Sequence, residues 1–211
     1  MAESYKTEEE QVEAIKAWWK ENGMSIVAGI TIGLVAIFGW RGYNQHKITQ
    51  AYEASSLYEQ MILSARNNDV ENSRVYADRI IADHETSMYG IFAKLMLAKL
   101  EAENNQLEQA VANLEWVIGN TDEPQVTHIA TLRLARLYID QEQLESAKSL
   151  LNKANQGEFI AQYEELKGDV FLKQGDINSA RQAYQKALLN TIASEESQSV
   201  IEMKLDNLGK G

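Results

Sequence analysis

The stretch Leu166–Leu188, LKGDVFLKQGDINSARQAYQKAL, carries the pattern from which the fold follows. Small and aromatic residues recur in it at helical spacing around a central turn: Gly168, Phe171, Gly175, Ala180, Tyr184 and Ala187. Small residues let two antiparallel helices cross closely, and large side chains fill the space beside the crossing. The stretch therefore predicts a helical hairpin.

The same arrangement occurs twice more, earlier in the chain. Two alanines of Leu134–Ala154 each lie 33 residues before an alanine of the first stretch. A third copy, Leu97–Val117, lies 37 residues earlier still, and the extra residues fit the connection Gly119–Gln125, which holds the only proline. The alternative is a non-repetitive helical bundle, which would not reproduce these spacings. We therefore predict an internal repeat.

The pattern resembles the tetratricopeptide repeat, in which a small residue and a turn are followed by Ala, then an aromatic residue or Leu four positions later, then Ala three positions after that. The hairpin Ala51–His84 is a degenerate copy, because Ser73 and Ala77 stand where an alanine and an aromatic residue are expected. The prediction is an all-α fold: one transmembrane helix followed by a tetratricopeptide-like solenoid. Its hairpins cover residues 47–84, 88–118, 125–155 and 158–190, and a capping helix beginning at Ser194 covers residues 194–208.

The predicted transmembrane helix rests on Gly23–Trp40, GMSIVAGITIGLVAIFGW, eighteen residues without a charge. Trp18 and Trp19 precede this run, and Trp40 and Tyr43 close it, as in the aromatic belts of membrane proteins. A helix from Trp19 to Trp40 is about 31 Å long, close to the thickness of the hydrocarbon core. We therefore predict a transmembrane helix over residues 23–43 and a repeat domain over residues 44–211.

Two other interpretations of this run fit less well. A buried helix of a soluble domain is usually shorter and rarely has aromatic residues at both ends. A cleaved signal peptide has a short basic head and small residues before the cut. Here 22 residues with six Glu and three Lys precede the run, which ends in Phe38-Gly39-Trp40-Arg41. The sequence favours an uncleaved anchor.

Residues 1–22 predict an amphipathic helix that lies at the membrane surface. Thr7 and Glu10 have the spacing of a capping box. Four apolar residues fall on one helical face: Val12, Ile15, Trp18 and Trp19. Gly23 either caps this helix or permits a bend. A polar lead-in that only orients the anchor, or a regulatory tail, are the alternatives.

Positive charges near the two ends of the span almost balance. Three lysines precede it and two basic residues follow it: Lys6, Lys16, Lys20, then Arg41 and Lys47. The positive-inside rule gives a cytoplasmic N-terminus only a slight advantage. Within the span, Ser25, Gly29 and Gly33 follow each other at four-residue spacing, which lets a second helix approach closely. The partner would be another copy or a larger membrane protein.

The composition argues against several classes of function. The net charge is −11, and residues 48–211 contribute 25 acidic side chains against 15 Lys and Arg. Such a domain repels nucleic acid, although it could attract basic or unfolded clients. There is no cysteine, and His46, His84 and His128 lack a metal-ligand spacing. No catalytic motif is present. We expect no cofactor, no metal site and no enzymatic activity.

Stacked helical hairpins offer a groove lined by the first helix of each repeat. The groove candidates are Lys94, Arg133 and Lys167, whereas Tyr138 and Phe171 occupy repeat positions and are expected to serve packing. The sequence therefore predicts a binding surface for proteins.

The segment Glu10–Gly23, EQVEAIKAWWKENG, the exit GWRGYN at residues 39–44 and the degenerate repeats together resemble the YfgM-type ancillary subunits of the bacterial SecYEG translocon. The resemblance covers nearly the whole chain. It implies a single-pass inner-membrane protein with a cytoplasmic N-terminus and a periplasmic repeat domain. It also implies association with SecYEG and the periplasmic chaperone PpiD, transfer of newly translocated envelope proteins to chaperones, and restraint of the RcsB stress regulator by the cytoplasmic tail.

Two alternative functions stay open. The protein could be a scaffold for an envelope assembly complex, holding a peptide segment of one folded partner in the repeat groove. It could instead be a signalling regulator that acts through residues 1–22. Deleting the tail while keeping the repeats separates the regulator from the translocon subunit.

Overall fold

A computed structural model describes residues 8–153, 156–191 and 195–209. Throughout these residues the regular structure is helical and contains no strand, which confirms the predicted all-α fold. The chain divides into two compact units between Glu53 and Ala54. Thr7 of the predicted capping box, the repeat residue Ala154 and the predicted helix cap Ser194 lie outside the described residues.

Helix α1 covers Glu8–Arg66 and is 59 residues long. It passes through Gly23 without interruption, so the interpretation of Gly23 as a helix cap is wrong. Gly23 has a different role. A Cβ placed on it would lie 3.1 Å from two indole atoms of Trp19, one turn earlier. The missing side chain therefore lets the Trp19 ring lie against the helix backbone.

Within the residues that the structure describes, eight further helices follow: α2 Val70–His84, α3 Met88–Glu103, α4 Leu107–Asn120, α5 Pro124–Asp140, α6 Leu144–Lys153, α7 Ile160–Lys173, α8 Ile177–Leu189 and α9 Glu195–Asn207. A 3₁₀ turn, Gly157–Phe159, precedes α7. Pro124 begins α5, where its fixed φ suits the first helical turn and its missing N–H leaves no bond unmade.

Four turns of the described chain share one backbone geometry. Their central residues have positive φ: Asn68 (57°), Asn105 (59°), Glu142 (59°) and Gly175 (80°). In each turn the next amide donates to a carbonyl five residues earlier, as Asp176 does to Phe171 at 2.9 Å. This is a Schellman-type helix end. The central residues are 37, 37 and 33 residues apart, so the degenerate first hairpin keeps the register of the others.

Where the two helices of a hairpin cross, one small and one large side chain pack together. The small residue comes first in the last hairpin and second in the first hairpin. A Cβ added to Gly168 of α7 would overlap the ring of Tyr184 in α8. At the corresponding positions of the first hairpin, the large residue Met61 comes first and the small residue Ala77 second, and both are fully buried. The exchange keeps the volume at the crossing similar, which close packing requires.

Helix α9 closes the last hairpin. Ile201 is buried in a cluster with Ala180, Tyr184 and Ala187, and Leu205 and Leu208 pack against that cluster. The Lys204 ammonium lies 2.7 Å from carboxylate oxygens of Glu165 and Asp169 in α7. The apolar end of the repeat array is thereby covered.

Candidate protein-binding surfaces

Most residues of the apolar run of α1 are exposed. Ile32 and Phe38 have 70% and 66% of their surface accessible. Only 6% of the most apolar part of this helix is buried inside the protein. The helix is long and apolar enough to cross a membrane. A core helix of a soluble protein would have the same composition but would be covered by neighbours.

The Thr31 hydroxyl and the backbone groups of the run are paired within the helix. The Thr31 hydroxyl donates to the Val27 carbonyl at 2.8 Å, and the backbone amides and carbonyls bond along the helix. Such internal pairing is what a hydrocarbon environment demands, because lipid tails offer no hydrogen-bond partner.

Ser25, Gly29 and Gly33 lie on one face of this helix and are exposed. A Cβ added at Gly29 or Gly33 would meet no atom within 4 Å. The face is therefore an open strip on which a second helix backbone can come close.

Aromatic and basic side chains lie at the ends of the run. Trp18 and Trp19 are each 54% exposed at one end. At the other end the Trp40 and Tyr43 rings are 6.5 Å apart, and the Lys47 ammonium lies 5.3 Å from the Tyr43 ring centre. These side chains suit the polar boundary of a bilayer, where an apolar body and a polar tip are both accommodated.

In the repeat domain, Lys94 of α3 is paired with neighbouring side chains. Its ammonium lies 3.2 Å from a Glu85 carboxylate oxygen and 4.8 Å from the centre of a Trp116 ring. Its side chain is 16% exposed. The ion pair and the aromatic contact hold the Lys94 ammonium against the protein, so it is less available to bind a partner.

Lys167 of α7 is paired as well. It lies 2.9 Å from a carboxylate oxygen of Glu164, and Lys186 lies 3.1 Å from the same oxygen. Burial raises the pKa of Glu164, but hydrogen bonds from Lys167 and Lys186 outweigh this and leave the pKa below its ordinary value. Glu164 therefore stays ionised and neutralises part of the charge of Lys167.

Arg133 of α5 has different surroundings. One guanidinium nitrogen donates to the Leu95 carbonyl at 3.4 Å, and in the described part of the chain no carboxylate pairs with it. It lines a cavity of about 310 Å³, which we call the basic cavity. The residues lining the basic cavity come from α3, α4 and α5: Ala98, Lys99, Ala102, Glu103, Leu114, Arg133, Arg136 and Leu137.

Arg136 and Lys99 line the same cavity and were not among the groove residues predicted from the sequence. Arg136 follows Arg133 by three residues, a spacing that puts both on one side of a helix, and this signal could have identified it. Partial burial, and then the neighbouring charge of Arg136, lower the pKa of Arg133. The two guanidinium groups are therefore close enough to repel each other, and among the described residues neither forms an ion pair with a carboxylate.

A second cavity of about 540 Å³ lies among α4, α5 and α6, and we call it the mixed cavity. Its charged side chains are Glu115, Glu145 and Lys153. Tyr138 lines it and donates from its hydroxyl to a Glu115 oxygen at 3.0 Å. Burial, followed by the Glu115 hydrogen bond and charge, raises the pKa of Tyr138. Tyr138 also packs against two core clusters, and Phe171 packs against the last one.

Comparison with known proteins gives a consistent result. Residues 16–210 match the family described as a tetratricopeptide repeat-like domain. A protein of Haemophilus influenzae named "Ancillary SecYEG translocon subunit" is 31% identical over 206 residues, covering 97% of this chain and all of the relative. A protein of the same name from Escherichia coli K12 is 30% identical over 206 residues, covering 98% of each chain. One from Aggregatibacter actinomycetemcomitans is 30% identical over 201 residues.

Proposed function

Because the chain belongs to the family of ancillary SecYEG translocon subunits, as its sequence resemblance predicted, we propose that it is a non-enzymatic, membrane-anchored subunit of the Sec translocon. The observation that carries the proposal is the exposed apolar helix joined to a tetratricopeptide-like domain in a chain that matches these relatives end to end. Lipid and a membrane partner would cover a helix that the protein itself leaves bare.

We propose that α1 crosses the bacterial inner membrane once, with a cytoplasmic N-terminus and a periplasmic repeat domain. The slight excess of lysines before the span supports this direction. The strip of Ser25, Gly29 and Gly33 would then contact a transmembrane helix of SecYEG, since it has no side chain in the way.

The repeat domain would receive newly translocated proteins and pass them to periplasmic chaperones such as PpiD. Its charge of −10 over residues 48–211 keeps the domain soluble and attracts basic segments of unfolded chains. The two cavities add local sites of contrasting charge to that acidic surface.

The first residues of α1 offer a separate surface on the other side of the membrane. Val12 and Ile15 are 49% and 66% exposed, so an apolar patch is available to a cytoplasmic protein. We propose this patch as the contact through which the tail restrains RcsB. Replacing both residues by serine should release the stress response without changing recovery of SecYEG.

Copurification tests the main proposal. The full chain with a C-terminal affinity tag is solubilised in mild detergent and its partners are quantified by mass spectrometry. We expect SecYEG subunits and PpiD to be recovered together, and both to be lost when residues 23–43 of α1 are replaced by an unrelated transmembrane sequence. Recovery of one stoichiometric partner without translocon components would contradict the proposal and favour the scaffold.

A further inference from the structure

The basic cavity has a charge opposite to that of the domain around it. Three cations, Lys99, Arg133 and Arg136, line it, together with one carboxylate, Glu103. Glu103 lies 3.7 Å from Lys99, and both side chains are more than half exposed. Two guanidinium groups are therefore left without a carboxylate among the described residues, in a domain with ten more acids than bases.

The bottom of the cavity is apolar. Ala98 and Leu114 are 3% and 1% exposed, and Leu137 lines the cavity beside them. A volume of about 310 Å³ is at the lower end of the range for ligand sites, so it admits one or two side chains rather than a folded surface. An apolar side chain fits the bottom, and a carboxylate fits the rim.

We propose that the basic cavity binds an extended segment of a partner protein in which an apolar residue lies between two acidic ones. The apolar side chain enters between Ala98 and Leu137, while Arg133 and Arg136 each take one carboxylate. Each guanidinium group can pair with one carboxylate, and two acidic side chains supply both, whereas a single chain terminus supplies only one. This inference deepens the proposed function by naming the chemistry of a client or partner segment.

The acidic surface makes the site selective. Elsewhere the domain repels a segment with two carboxylates, so binding concentrates where positive charge outweighs negative. Arg133 and Arg136 are both exposed, so a carboxylate at the rim can reach them, and its negative charge offsets the repulsion between the two guanidinium groups.

Fluorescence anisotropy on the full chain in nanodiscs tests the proposal. The probe is the labelled peptide Gly-Ser-Glu-Leu-Glu-Ser-Gly, blocked at both ends so that only the Glu side chains supply carboxylates. Arg136→Gln and Arg133→Gln should each weaken binding about ten-fold, the loss expected for one charge-assisted hydrogen bond. Arg79→Gln, which changes an exposed arginine on α2, is the matched control and should leave binding unchanged.

A double-mutant cycle makes the assignment specific. Exchanging either peptide Glu for Gln should weaken binding to the wild-type chain. In Arg136→Gln, exchanging the Glu that pairs with Arg136 should weaken binding little further, whereas exchanging the other Glu should weaken it by the same factor as in the wild type. Additive losses throughout the cycle, or equal losses with Arg79→Gln, would overturn the proposal. So would self-association of the chain that Arg136→Gln abolishes, because the occupant would then be a second copy.

The outcome is separable from that of the proposed function. If the peptide does not bind while the full chain still copurifies with SecYEG, the inference about the cavity is wrong and the translocon assignment stands. If SecYEG is not recovered while the cycle shows coupling, the cavity assignment stands alone.

Discussion

The apolar run of α1 and the helices of the repeat domain contain similar residues in opposite environments. Ile32 in α1 is 70% exposed, whereas Ile80 in α2 is fully buried. In α1 the apolar residues are continuous, so no face is left polar for water. In the repeats they recur every three or four residues, so one face packs and the other is solvated. The comparison shows that the pattern of apolar residues, rather than their number, determines what covers them.

The largest effect should come from placing charges in the span. Ile30→Asp together with Ile37→Asp should cost about 5–7 kcal/mol of membrane insertion, because each acid at bilayer depth is unfavourable by about 2.5–3.5 kcal/mol. Alkaline extraction of membranes measures the loss. The repeat domain should keep its helical circular dichroism.

Ile48→Asp is the control for that variant, since Ile48 is exposed in α1 but lies beyond the apolar run. It should remain in the membrane fraction. Equal release of both variants would mean that the run does not hold the protein in the membrane.

Within the repeat domain, truncating a buried residue should have the next largest effect. Met61→Ala should lower the free energy of unfolding by about 2–5 kcal/mol, because it opens a cavity in the first hairpin. Leu63→Ala, two residues later and 45% exposed, should change it by less than about 0.5 kcal/mol. Urea unfolding of the two variants measures the difference, and similar losses would contradict the burial of Met61.

Replacing a glycine by alanine should have different effects on stability in the two regions. Gly168→Ala should destabilise the repeat domain by about 1–3 kcal/mol, because the Cβ overlaps the Tyr184 ring. Gly29→Ala should leave the stability of the repeat domain unchanged, since its Cβ meets nothing. Thermal unfolding checks both. Adding Tyr184→Leu should recover part of the Gly168→Ala loss, and no recovery would contradict the packing described.

The smallest effect concerns pH. The pKa of Glu164 is lower in the folded protein than its ordinary value of 4.5, so its pairing with Lys167 and Lys186 adds stability above that pH. This stability should disappear as the pH falls below 4.5 through the folded pKa. The difference in unfolding free energy between the wild type and Glu164→Gln should therefore stay constant at neutral pH and shrink as the pH is lowered from 4.5 through the folded pKa. A difference that grows on acidification would contradict the assignment.

Much of the fold could be predicted because repeats and apolar runs are properties of the sequence itself. The 33- and 37-residue spacings predict the helical hairpins, and the run without charges predicts the transmembrane helix. The first hairpin was harder, because Met61 and Ala77 reverse the usual order of small and large residues. The turn at Asn68, with its positive φ, shows that this hairpin is equivalent to the others.

The surroundings of the groove candidates could not be predicted with the same success. Lys94 meets Glu85 and Trp116, which lie on separate elements, so its pairing depends on how the helices pack. The basic cavity arises where residues of α3, α4 and α5 come together. Sequence periodicity places a residue on a helix face, but it does not say which charges remain unpaired after folding.

The central claim is that the small-residue strip of α1 contacts the translocon within the membrane. Photocrosslinking in cells, with a probe placed in turn at each position from Ser25 to Val35, tests it most directly. Adducts to SecYEG should peak at Ser25, Gly29 and Gly33 and be weakest at Val27, Thr31 and Leu34 on the opposite face. Adducts of equal yield at every position, or none to SecYEG from a normally expressed chain, would contradict the account.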